Sequence, residues 1–289
     1  VGTLNPVSIT EAAAVFSPQI ATGGADLFDP ILSSQDALLE PLADQIFTVN
    51  NTGDEPDANP GDGFARTSID TTTLRAAIQE ANALAGFDTI RFNIAGTGVR
   101  TIAPSSALPA ITSPVVIDGW SQGGSGYSGP PLIELNGANA GSSSVSGLNF
   151  QSGSSGSTVR GLVINRFSSD GIQLFGGSNV IEGNYIGTDA TGMTDLGNAF
   201  NGITIRSSNN LIGGTTATAR NVIAGNNRGI DIDTGSVNLI QGNYIGVNVA
   251  GTTAVGNSNT GVSVTNSSNN TIGGTIVGAR NIISGNGGS

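Results

Sequence analysis

The second half of this chain repeats itself. The segment "NYIGTDATG", which begins at Asn184, returns as "NYIGVNVAG" at Asn243, 59 residues later. The flanking segments repeat as well, and the last of them is offset by 60 residues, with one residue inserted near residues 266–268. We place this insertion in a turn, because a one-residue slip within a strand would turn its apolar side chains outward. A repeat of this kind is typical of solenoid architectures.

A shorter repeat lies inside the long one. Five segments alternate apolar with other residues, as half-buried strands do. They begin at Gly147, Gly171, Gly202, Gly229 and Gly261. Eight or nine residues after each of the last four comes an asparagine, namely Asn179, Asn210, Asn238 or Asn270. The unit is therefore strand, turn and strand, and the surplus residues, rich in glycine, threonine, asparagine and serine, are predicted loops.

This pattern predicts an all-β fold, a parallel β-helix or β-solenoid. The 44 glycines argue against helical repeats, because each glycine inside a helix costs about 1 kcal/mol. A β-propeller or a sandwich is the alternative. The four turn asparagines should form a ladder in which each has a left-handed backbone and its side-chain amide bonds its neighbours. We expect six isoleucines in the inward stacks: Ile181, Ile203, Ile212, Ile230, Ile240 and Ile272.

The chain divides into three regions. Residues 1–45 are acidic and carry no base, and they are predicted to be a leader or a partner-binding arm. Residues 46–110 form an N-terminal cap that contains the first strands and one helix, at about residues 72–85. Residues 111–289 form the β-helix rungs, which we expect to continue or to be covered beyond residue 289, because solenoid ends need protection.

The helix in the cap is amphipathic. Its apolar positions share one face, and Asp70 or a following threonine can cap its start while Gly86 ends it. The residues of that face are Leu74, Ala77, Ile78, Ala81 and Ala85. We expect this face to cover the first rung.

Composition excludes several functions. The net charge is −11, and all ten basic residues are arginine, so a nucleic-acid partner is not expected. No apolar run is long enough to predict a membrane span. Without histidine, no nucleophile can be paired with a histidine base, and without cysteine there is no disulfide framework.

Several separated motifs resemble a known family. The run "TTLRAAIQEANALAG" and the later segments "ALPAITSPVVIDGWSQ", "PLIELNGANAG" and "NVIEGNYIGTDATG" occur in an order similar to that of bacterial right-handed parallel β-helix repeat proteins with an N-terminal Cys-Ser-Leu-Arg-Glu-Ala-type helix motif. The resemblance covers about residues 46–289. Here Thr72 and Thr73 replace Cys and Ser, and Ala76 replaces Glu, so the motif's thiol and carboxylate are absent. The resemblance implies a right-handed β-helix in a secreted or surface-attached protein, and it does not imply an enzyme.

Asp231 and Asp233 are the candidate catalytic pair. They should point outward from one strand about 6.5 to 7 Å apart, a separation that an inverting glycosidase could use. The predicted register also places Arg206 beside Asp233, which favours an ordinary ion pair between rungs.

Two further groups of residues are candidate binding sites. Asp54, Glu55, Asp57 and Asp62 lie in one acidic loop and offer oxygen ligands for calcium, the one candidate cofactor; the alternative is a solvated turn. Tyr185 and Tyr244 occupy the same position in the repeat. They could stack on sugars, or they could pack beneath their own long loops.

These observations favour a non-catalytic extracellular scaffold, secreted or on a bacterial cell surface, with an adhesive or matrix role. The expected partners are a second copy, bound head to tail into fibres, or further repeats of a longer chain, with extracellular glycans as additional candidates. The alternatives are a pectin-lyase-like polysaccharide hydrolase or lyase, and a glycan-binding module.

Overall fold

A computed structural model describes residues 44–288, and these residues form a right-handed parallel β-helix. The predicted arm at residues 1–45 lies outside the described residues except for its last two positions. The predicted fold class is therefore confirmed.

Within residues 44–288, twenty short strands and one α-helix build the solenoid. The strands are β1 (Ile46–Val49), β2 (Asp88–Phe92), β3 (Arg100–Ile102), β4 (Val115–Asp118), β5 (Ile133–Asn136), β6 (Leu148–Phe150), β7 (Thr158–Arg160), β8 (Leu162–Asn165), β9 (Ile172–Leu174), β10 (Val180–Glu182), β11 (Tyr185–Ile186), β12 (Asn201–Ile205), β13 (Leu211–Gly213), β14 (Val222–Ile223), β15 (Arg228–Asp233), β16 (Leu239–Gln241), β17 (Tyr244–Ile245), β18 (Val262–Thr265), β19 (Thr271–Ile272) and β20 (Ile282–Ile283). The helix α1 spans Leu74–Ala83.

The strands form three parallel sheets. Sheet A has the order β1-β2-β4-β7-β10-β13-β16-β19, sheet B the order β20-β17-β14-β11-β8-β5-β3, and sheet C the order β18-β15-β12-β9-β6. The chain visits A, B and C in turn to complete each regular rung. Because every strand pairs with its counterpart in the next rung, the same side of each sheet faces the core throughout.

Each sheet contributes a continuous row of inward side chains. In sheet A the row is Phe47, Ile90, Ile117, Val159, Ile181, Ile212, Ile240 and Ile272, each in register with the next. Five of the six predicted core isoleucines are buried, and the prediction for Ile272 is wrong, since its side chain is 45% exposed. Ile272 belongs to the last described rung, so a neighbour covers it on one side only. The rows of sheets B and C end in the same way, at Ile283 and Val264, which are 44% and 45% exposed.

The long repeat corresponds to two rungs. In the rung of β10, β11 and β12 the connection from sheet B to sheet C is long, at residues 187–200, whereas in the next rung the connection from sheet A to sheet B is long, at residues 214–221. The same alternation returns at residues 246–261 and 273–281. The inserted residue near 266–268 lies between β18 and β19, as predicted.

Helix α1 packs on the first strands of sheet A. The Thr73 side chain caps it by accepting a hydrogen bond from the backbone N–H of Ala76, at 3.0 Å. Four of its predicted apolar positions are buried and join the same core as the inward rows, in contact with β1 and β2. Ala85 is exposed because the helix ends at Ala83, so the helical spacing no longer applies to it.

Candidate functional site

The predicted asparagine ladder is present at the turn before sheet A. The side-chain amides of Asn179, Asn210 and Asn238 donate to the side-chain oxygens of Asn210, Asn238 and Asn270, at 3.2, 2.8 and 3.0 Å. The backbone N–H of each donor residue makes a second bond to the same oxygen. The left-handed conformation, however, belongs to the residue before each asparagine. Those residues are Ser178, Asn209, Val237 and Asn269, with φ between 57° and 66°.

Two further ladders mark the other corners of the solenoid. Asn184, Asn221, Asn243 and Asn281 form one at the start of sheet B, with amide-to-oxygen distances of 3.2, 2.9 and 3.2 Å. Asn198, Asn226, Asn257 and Asn286 form the other, ahead of sheet C, with distances of 2.9, 3.2 and 2.8 Å. Sequence reasoning missed both, although the repeated "GNY", "ARN" and "GN" segments carried the signal. Nine of the twelve ladder asparagines are buried, so their mutual bonding removes a large cost of burial.

The last described rung presents an incomplete face. The three ladders end there at Asn270, Asn281 and Asn286, and the three apolar rows end at partly exposed side chains. In every inner rung the backbone N–H of a ladder asparagine donates to the next asparagine oxygen, and these three residues have no next asparagine within residues 44–288. Depressions of about 460 and 450 Å³ lie on this face, around Ile272 and Ile283. We call this surface the end face.

The candidate catalytic carboxylates are each engaged by an arginine. Asp231 and Asp233 point outward from β15, as predicted. Asp233 lies 3.8 Å from Nε of Arg206 on the neighbouring rung, and Asp231 lies 3.5 Å from the guanidinium of Arg228. Each of the two outward carboxylates is therefore within ion-pair distance of an arginine, as the predicted register indicates for Asp233 and Arg206.

The acidic side chains of the loop at residues 54–62 do not converge on one point. Asp54 forms an ion pair with Arg75 of α1, at 2.9 Å, and its other oxygen accepts the backbone N–H of Ser105. Asp62 accepts the N–H of Phe64 in its own turn. Within residues 44–288, no group of three or more acidic, histidine or cysteine side chains is placed to hold a metal ion.

Glu80 of α1 organises this loop and was missed in the sequence. Its side chain is buried, and its carboxylate accepts the backbone N–H groups of Gly61 and Gly63. Burial raises the pKa of Glu80, the two hydrogen bonds oppose that rise, and the nearby Asp57 adds to it. The loop is therefore wrapped around a helix carboxylate.

Tyr185 and Tyr244 lie in one outward row on sheet B, two rungs apart, with Val222 between them in register. Tyr185 is 8% exposed and packs with Val163 and Val222 under the loop that follows it, and burial raises the pKa of its hydroxyl. The guanidinium of Arg220 lies 4.2 Å from the centre of the Tyr244 ring. Tyr185 therefore packs beneath its own loop, which is the second of the two predicted alternatives. Its ring is not free to stack on a sugar.

Sheet A carries a row of charged side chains beside a cleft. Arg91, Asp118, Arg160 and Glu182 are in register on the outward side of successive strands. Asp118 and Arg160 form an ion pair at 3.0 Å, which raises the pKa of Arg160. A cleft of about 900 Å³ lies along this row and is also lined by Trp120 and Tyr127.

The indole ring of Trp120 packs against two glycines, Gly161 and Gly183. A Cβ at Gly161 would lie 2.6 Å from the indole ring, and a Cβ at Gly183, in the following rung, would lie 2.2 Å from it. Both glycines have positive φ, at 67° and 64°. The indole consequently lies against the backbone of two rungs, while the guanidinium of Arg160 lies 5.9 Å from its centre.

No model of a known protein family and no curated protein matches this chain. Among the residues that the structure describes, none of the helical segments is both long and apolar enough to cross a membrane.

Proposed function

We propose that this protein is a non-catalytic β-solenoid scaffold that acts outside a bacterial cell, secreted or on the cell surface, as an adhesive or matrix component. The observation that carries the proposal is that three asparagine ladders connect the rungs from β10 onward and three apolar rows run in register along the core. The resemblance to secreted β-helix repeat proteins supports the location.

A ladder at each corner makes the solenoid resistant to bending and slipping. From the rung of β10 onward, each rung is bonded to the next by backbone pairing, by an asparagine amide at the three corners and by the stacked core. A change of register would break all three kinds of contact at once. Asp231 and Asp233 of β15 are paired with arginines, and ion pairs of this kind are consistent with a structural role in the solenoid.

The proposed partner at the end face is a second copy of the chain, bound head to tail, or further repeats of a longer chain. Within residues 44–288, the strands of the end face pair on one side only, and Ile272 and Ile283 are partly exposed. The backbone N–H groups of Asn270, Asn281 and Asn286 lack the asparagine acceptor that the inner ladder residues have. A strand or rung from a neighbouring molecule would satisfy all three needs. Such a contact is heterologous and need not close, so it builds fibres. The predicted donor, residues 1–45, lies largely outside the described residues.

Light scattering over a range of concentrations tests this association. We expect a mass that rises with concentration for the chain, and a monomer after Ile272→Asp, which places a charge on the end face. Phe200→Asp is the matched control, because Phe200 is also exposed, at 58% against 45% for Ile272, but lies on a side loop. Deletion of residues 1–45 should also give a monomer. A strict monomer at high concentration would refute self-association and would favour further repeats of a longer chain as the cover.

The enzymatic alternative has its own assay. We expect no turnover of uronic-acid polymers by this chain. A turnover that Asp233→Asn abolishes would replace the scaffold with a polysaccharide hydrolase or lyase.

A further inference from the structure

We propose that a surface formed by Trp120 and Tyr127, together with the arginines beside them, binds an acidic glycan. Trp120 is the one tryptophan of the chain, and Tyr127 is one of its three tyrosines. Trp120 and Tyr127 line the cleft of about 900 Å³, and Trp120 and Tyr185 line an adjoining depression of about 190 Å³. Arg220, which also lines the depression, covers the ring of Tyr244. We call Trp120, Tyr127 and the two depressions the aromatic surface.

The fold alone does not require this clustering. The core is built mainly from isoleucine, leucine, valine and phenylalanine, and every tyrosine and tryptophan lies outside it. Rings with a polar edge are suited to ligands that have both apolar faces and hydroxyl groups. Sugars in a linear glycan have this character, and a long surface cleft can hold several of them.

Trp120 is the centre of the aromatic surface. Its ring separates the cleft from the smaller depression and contributes to both. The side chain is partly exposed, and the glycines beneath it fix the plane of the ring before any ligand arrives. Tyr127 is fixed as well, since its hydroxyl donates to the backbone carbonyl of Pro130 at 2.7 Å. A rigid aromatic surface loses little conformational entropy on binding.

The charge of the lining residues favours an anionic ligand. The residues that line the two depressions include Arg91, Arg160 and Arg220 but only one acid, Asp118, although the whole chain has a net charge of −11. Asp118 is engaged by Arg160. Arg91 is exposed, and its side chain has no ion-pair partner within residues 44–288. An exposed guanidinium beside an aromatic ring favours a carboxylate or sulfate on a sugar.

The single tryptophan provides a direct assay. Trp120 fluorescence of the full chain should change and saturate on titration with hyaluronan oligosaccharides, which carry carboxylates only, or with heparin oligosaccharides, which carry sulfates as well. The neutral polymer dextran should produce no change. The stronger of the two acidic ligands then identifies the anionic group. No change with either acidic ligand would overturn the proposal.

A matched pair of variants separates a specific site from general charge attraction. Arg91→Gln removes an exposed guanidinium at the cleft, and we expect affinity to fall about tenfold, the loss typical of one charge-assisted contact. Arg206→Gln makes the same change of charge on sheet C and should leave affinity unchanged. Equal losses in both variants would overturn the proposal. This site is independent of the end face, so failure of glycan binding would leave the light-scattering result intact.

Discussion

The inward row of sheet A offers a quantitative test of the rung assignment. Ile212 is fully buried and lies in register between Ile181 and Ile240. Ile212→Ala removes three buried carbon atoms at about 0.8 kcal/mol each, which gives about 2.4 kcal/mol. The paired strands on both sides hold the backbone in place, so part of the space stays empty and adds to the cost. We expect the free energy of unfolding to fall by about 2 to 5 kcal/mol.

Ile272 is the matched control for Ile212. It occupies the same row but is 45% exposed at the end face, so the same substitution removes about half of the buried surface and leaves no closed cavity. We expect Ile272→Ala to cost about 1 kcal/mol. Urea denaturation followed by circular dichroism and by Trp120 fluorescence measures both costs and tests whether unfolding is cooperative. Equal costs at the two positions would refute the stack.

Three further predictions follow from polar groups. Asn210→Ala should cost about 1 to 3 kcal/mol in urea denaturation, because the buried N–H of Asn179 loses its acceptor. Asn270→Ala removes the acceptor of Asn238 in the same way, but Asn270 is partly exposed, so water can replace the lost bond and the cost should be smaller; equal costs would contradict the role of burial in the ladder. Asp233→Asn should change stability by at most about 1 kcal/mol, as exposed pairs do, and a larger loss by the same measurement would contradict this. The folded state raises the pKa of Glu80 above its ordinary value of 4.5 and so binds the proton more tightly than the unfolded chain. The stability of the wild type relative to Glu80→Ala should therefore rise as the pH falls from about 7 to about 4, and the opposite slope would show that the hydrogen bonds outweigh burial.

Much of the fold could be predicted because burial on one face of a strand restricts its sequence strongly. The alternation around Ile203 and Ile230 identified strands, and the constant offset between copies identified their register. That register also predicts Arg206 beside Asp233, and the ion pair is present. The prediction for Ile272 failed because exposure at the end of a stack depends on the next rung and not on local pattern.

The cleft beside Trp120 could not be predicted for a related reason. Trp120 lies in a glycine-rich segment without periodicity. The two glycines against which its ring packs, Gly161 and Gly183, belong to later rungs. Only the closure of the solenoid brings these positions together. Glu80 was missed similarly, since its partners at residues 61 and 63 precede it in a loop that carries no strand or helix pattern.

The end face and the aromatic surface lie on different elements, so a variant should be able to lose association and keep glycan binding. Association should nevertheless strengthen binding to a long glycan. The end face is formed by β18, β19 and β20, whereas the aromatic surface is centred on the segment after β4. Ile272→Asp should therefore bind a short acidic oligosaccharide with the affinity of the wild type. A long polymer can span several copies in a fibre, and linked sites bind more tightly than single ones, so the wild type should bind the polymer at least about tenfold more tightly than the variant does. Surface plasmon resonance with immobilised oligosaccharide and polymer measures both affinities. Equal affinities for the polymer would mean that assembly does not align the aromatic surfaces along one strand of glycan.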